Sequence, residues 1–155
     1  MKQEDKDLLL KDLCARLPYG VRMFEIEPIN NIQSNLTLQS ISNKASVICI
    51  TPSGGIVGSS IDAFKPYLFP ISSMTEEQKK EYYLLADDVT IKPGQGCYLG
   101  IKIHCIKLGI SDNPHEEVWD YINLDALNWL NKNHFDYRGL IEKGLAIDAT
   151  NLNIY

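Results

Sequence analysis

The block His134–Ala149 (HFDYRGLIEKGLAIDA) packs an imidazole, a carboxylate, a phenol and a guanidinium into five residues: His134, Asp136, Tyr137 and Arg138. A guanidinium offers a planar fork of N–H donors that matches carboxylate and phosphate. With Tyr137 and their neighbours His134 and Asp136, Arg138 could therefore hold an anionic or planar ligand. The same residues also support a structural reading. Asp136 can cap a short turn through Glu142 and Lys143 that closes on a left-handed Gly144. An Asp–Arg pair and packed aromatic rings would then complete a C-terminal corner. The structural role is the first expectation and the ligand site the second.

Other residues that could do chemistry lack the spacing for it. Pro52-Ser53-Gly54-Gly55-Ile56-Val57-Gly58 is glycine-rich, but a phosphate cradle needs a following helix, and β-branched Ile56 and Val57 indicate a strand instead. Gly94-x-Gly96 lacks the third glycine of a dinucleotide fingerprint and precedes a strand. His104, His115 and His134 form no close pair, and Cys14, Cys49, Cys97 and Cys105 include no Cys-x-x-Cys and no zinc spacing. A nucleophile–base pair such as Cys105 with His134 rests on no motif. Asp87-Asp88 and Glu116-Glu117 are adjacent and diverge on any regular element. The expectation is no catalytic residue, no metal and no cofactor. The four cysteines sit in apolar runs and are expected to be buried, reduced thiols, giving a core without disulfides.

The elements that position these residues follow from periodicity. Gln3 to Leu17 reads as an amphipathic helix, with Leu9, Leu13 and Leu17 on one stripe and Leu10 and Cys14 beside it; Pro18 and Gly20 stop it. Strands are expected over Val21–Glu27, Leu36–Ile41 and Ser46–Thr51. The last turns at Pro52–Gly55 into Ile56-Val57 as a hairpin. Ile61–Pro70 holds two prolines, which donate no N–H, and is expected as an irregular packed arm instead of a central strand. Thr75-Glu76-Glu77-Gln78 is a capping box that opens a helix to Ala86. Cys97–Leu108 alternates as a half-exposed strand. A last helix spans Asn123–Lys132, with Leu124, Leu127 and Leu130 on one side.

The 155 residues favour one domain, 1–155, large enough to bury a core without staples. The 15 basic and 20 acidic residues leave a net charge of −5. That balance lacks the basic footprint of a nucleic-acid binder, so no nucleic-acid partner is expected. No apolar run approaches a membrane span, and charges of both signs precede the short leucine run near Met1, unlike a signal peptide. The expected location is cytoplasmic. The fold class is α+β: an antiparallel sheet of about four or five strands flanked by N-terminal, middle and C-terminal helices.

Three blocks, Lys11–Val21 (KDLCARLPYGV), Phe64–Gln78 (FKPYLFPISSMTEEQ) and His134–Ala149, resemble recurring blocks of a family of small uncharacterised proteins encoded by phages and mobile elements of anaerobic gut bacteria. Glu25–Ser60 and Asp87–Val118 match less well. The resemblance implies an accessory gene product of a mobile element and brings no activity or catalytic residues. The functional expectation is a non-catalytic binding or regulatory protein with a host or phage protein as partner. The alternative is a protein that sequesters a small anionic, nucleotide-like signal through Arg138 and Tyr137. An enzyme of unknown class comes third.

Overall fold

A computed structural model describes residues 1–26, 36–42, 45–86 and 124–155. The expected strand Cys97–Leu108, with His104 and Cys105, lies outside the described residues, as do His115, Gly94-x-Gly96 and both acidic pairs. The class is α+β. The chain divides into two compact units, Met1–Ser73 with Asn131–Tyr155, and Met74–Leu130.

In the first unit, helix α1 (Gln3–Arg16) forms where expected, with Glu4 and Asp5 in its first turn complementing the helix dipole. It buries Leu9 and Leu13 completely, together with Asp12 and Arg16. Cys14 lies off this face and is exposed, so its thiol is not the buried one expected. A single turn of tighter helix, Leu17–Tyr19, ends at left-handed Gly20.

The sheet is mostly antiparallel and larger than the four or five strands expected. Its strands are β1 (Arg22–Glu25), β2 (Leu36–Ile41), β3 (Ser46–Ile50), β4 (Ile56–Ser60), β5 (Phe64–Pro70), β6 (Phe135–Asp136) and β7 (Ile147–Asp148). The order is β4-β3-β2-β1-β5-β6, with β7 also on β5. Beyond the four expected strands that fall among the described residues, the sheet adds β5 and the two-residue β6 and β7, which pair parallel to β5 and are too short to leave a periodic signal. Val21, Met23, Leu36, Leu38, Val47, Cys49, Phe64 and Leu68 face α1's leucines in one core.

Phe64–Pro70 is a central strand and not the irregular arm the prolines suggested. Its register explains the tolerance. Met23 stands opposite Pro66 and Phe24 opposite Lys65. One step on, Arg22 N and Tyr67 O are joined through the Tyr155 hydroxyl, which accepts from the first at 3.0 Å and donates to the second at 2.8 Å. Hydrogen-bonding positions on this edge are thus Lys65 and Tyr67, and Pro66 falls between them. Pairing with β7 begins only at Tyr67, so no ladder asks Pro66 for a donor.

In the second unit, α2 (Glu76–Ala86) opens with the reciprocal box read from sequence: Gln78 N donates to Thr75 Oγ1 (3.2 Å) and Thr75 N to Gln78 Oε1 (2.9 Å). Helix α3 (Leu124–Lys132) buries Ala126, Trp129 and Leu130, while Leu124 is 66% exposed. Of the three leucines expected on one side, Leu130 is fully buried, Leu127 half-buried and Leu124 exposed. The bulky Trp129 joins the buried face, its ring 5.9 Å from that of Tyr82.

Candidate functional site: a guanidinium corner

The residues singled out in sequence converge with α1 in the first unit. Asn131 O accepts from His134 N at 3.2 Å, and His134 takes a left-handed backbone (φ 59°) that turns the chain into β6. Its carbonyl accepts from Phe69 N, which seats β6 on β5. The His134 ring stacks on Tyr155, with centroids 4.1 Å apart and planes 16° from parallel. Burial, followed by the nearby charges of Arg16 and Arg22, pushes the imidazole pKa down to about 4. His134 is therefore neutral at pH 7.

Asp136 is a cap, as its position suggested. Oδ1 accepts from Leu140 N (2.9 Å) and Oδ2 from Ile141 N (2.7 Å). Both oxygens are committed to holding the loop from Tyr137 to Gly144, which closes at Gly144 (φ 68°) with a bond from its N–H to Ile141 O. Leu140, Leu145 and Ala146 then enter the core.

The expected Asp–Arg pair within the block gives way to a different one. Arg138 is paired with Asp12 of α1, its Nε 3.2 Å from Asp12 Oδ1, in an ion pair without hydrogen-bond alignment. Asp136 had already spent its lone pairs on backbone amides, so the guanidinium takes the other carboxylate within reach. The Arg138 side chain is 17% exposed.

Asp12 and Arg16 escaped sequence reasoning, and both side chains are fully buried. Arg16 grips Asp12 with two bonds, Nε to Oδ2 (2.7 Å) and Nη2 to Oδ1 (3.1 Å), and Nη2 also donates to Phe135 O (2.7 Å). One signal was present: Leu9, Asp12, Leu13 and Arg16 share the i, i+3, i+4, i+7 stripe, so an acid and a base at i,i+4 lay on the face that had to be buried. Tyr137 joins the two arginines. Its ring lies 5.4 Å from the Arg16 guanidinium carbon and 4.7 Å from that of Arg138. Its hydroxyl accepts from Arg138 Nη2 (3.0 Å) and donates to Asn131 Oδ1 (2.9 Å). Burial is the main cause that raises the Tyr137 pKa, so the phenol stays protonated.

Chemically, the corner is a set of cationic and neutral donors clamped around one carboxylate. It can hold structure or bind an anion. Burial holds the imidazole in its neutral form, and both Asp136 oxygens accept backbone amides. Among the described residues no group of His, Cys, Asp and Glu is arranged to hold a metal ion. No family model, curated protein or solved structure matches this chain.

Proposed function

We propose that this chain is a non-catalytic binding protein that engages a protein partner through the β3–β4 hairpin. The observation that carries the reading is a cluster of three isoleucines on one sheet face. Ile50 pairs directly with Ile56, which is 78% exposed, and Ile48, 37% exposed, lies two residues along β3. Ile48 stands opposite Gly58, which has no side chain to cover it. Scattered exposed apolar residues are ordinary, but contiguous ones mark contact surfaces. Among the described residues, β4 (IVGSS) is also the last strand in the sheet order, and it carries neither charge nor proline, the usual guards of an edge. The partner that fits is a protein offering an extended segment with apolar side chains on the isoleucine face.

An accessory role in the cytoplasm of a bacterium carrying a phage or mobile element accords with the resemblance of the three sequence blocks. Among the described residues, no helix is long and apolar enough to cross a membrane. The test is native mass spectrometry of the chain isolated from its host, repeated with Ile56→Lys. A protein complex lost in the variant, with the fold retained, supports the reading. A copurified small molecule in place of a protein, or a complex indifferent to Ile56→Lys, overturns it.

A further inference from the structure

Four buried side-chain polar atoms lack a hydrogen-bond partner among the described residues, and three of them lie in the guanidinium corner: Arg16 Nη1, Arg138 Nε and His134 Nδ1. Two guanidinium groups share Asp12, and Asp136 is committed to amides of its own loop. Arg22 stands nearby with its Nη1 on the neutral Thr37 hydroxyl (2.7 Å) and adds positive potential at His134. A buried N–H left unmade is costly, and an uncompensated buried charge more so. A water molecule could satisfy the N–H groups of Arg16 Nη1, and a small oxyanion would do so with a charge that the guanidinium groups attract.

We propose that the corner binds a small oxyanion, a carboxylate or phosphate group, anchored on the unused N–H groups of Arg16 Nη1, with His134 and Arg138 beside it. This goes beyond the protein-binding reading and does not depend on it. The neutral imidazole brings a hydrogen-bonding nitrogen without a titrating charge, so guanidinium charge carries the attraction. Tyr155 covers the His134 ring by stacking and is itself 44% exposed. It is the side chain that a ligand approaching over His134 displaces.

The test uses the ¹⁵N-labelled full chain and follows the arginine Nε–Hε resonances by NMR. Sodium phosphate and sodium acetate are titrated separately, with ionic strength held constant by sodium chloride. The expected result is a saturable shift of the Arg16 and Arg138 signals with one of the two anions, which also assigns the headgroup class. Tm should rise by about 3–6 °C at a tenfold excess over Kd. Arg16→Gln risks the fold, so Arg138→Gln and His134→Asn serve as variants. Each should retain the native circular dichroism and weaken binding by roughly tenfold, the loss expected of a charged hydrogen bond. No saturable shift up to roughly 50 mM of either anion, the response of a corner filled only by ordered water, overturns the proposal. So does an equal shift with chloride alone, or binding unchanged in both variants.

Discussion

At the residue scale, the buried acid Asp12 is the hinge of the corner's electrostatics. Asp12→Ala leaves Arg16 fully buried with a surplus charge and only the Phe135 carbonyl as partner. The expected loss is about 3–5 kcal/mol. Arg138→Ala removes the half-exposed partner instead and should cost about 1–2 kcal/mol, since Asp12 keeps both bonds from Arg16. Urea unfolding of the two variants checks the order, and equal losses would contradict it. His134 makes a pH prediction. Its folded pKa lies near 4, below the ordinary value of 6.5, so the unfolded chain binds a proton first as pH falls. The stability that neutral His134 contributes is intact above about 6.5 and drains away as pH drops toward 4. His134→Asn, which tolerates the left-handed backbone and does not titrate, should flatten stability over that window relative to wild type.

At the element scale, two single substitutions weigh packing against capping. Leu13 is fully buried on α1, and Leu13→Ala should cost about 2–5 kcal/mol. Asp136→Ala removes a cap with two amide bonds and should cost about 0.5–2 kcal/mol. Denaturant midpoints at unchanged slope read both. Helix α1, the β3–β4 hairpin, the capping box at Thr75 and the Asp136 loop were legible because each is written within a few residues. What stayed hidden depends on distant partners. Pro66 sits in a central strand because of what stands opposite it. The buried face of α3 includes Trp129 and Ala126 beside Leu130, which a leucine count alone does not show. Arg138 chooses Asp12, which lies 126 positions earlier.

At the scale of the molecule, the two cysteines among the described residues should separate by reactivity. Cys14 is exposed. Burial, with the Glu25 charge adding to it, pushes the Cys49 thiol up to about 12, and the side chain lies in the core. Iodoacetamide at pH 8 should label Cys14 in the folded chain and Cys49 only after denaturation, as peptide mass mapping would read. Cys14 and Cys49 are free, and with Cys97 and Cys105 expected from the sequence as reduced thiols, reductant should leave Tm unchanged within a few degrees. Labelling of Cys49 as fast as Cys14 would mean that the sheet opens readily on its α1 side.

The Tyr155 hydroxyl inserted between Arg22 N and Tyr67 O has a kinetic consequence. That bridge closes a loop of 133 residues, so it forms after the local hairpins and the α1 packing are in place. It ties the last turn of chain into the middle of the sheet through one phenol, without a strand of its own. Release of that phenol frees the Arg22 amide while the rest of the ladder stays closed. Hydrogen–deuterium exchange at Arg22 should therefore run faster than at Leu38, whose amide is bonded to Val21 O on the neighbouring ladder. Tyr155→Phe should accelerate exchange at Arg22 and leave Leu38 unchanged. The Arg22 amide is then a built-in reporter of how often the chain end lets go of the sheet.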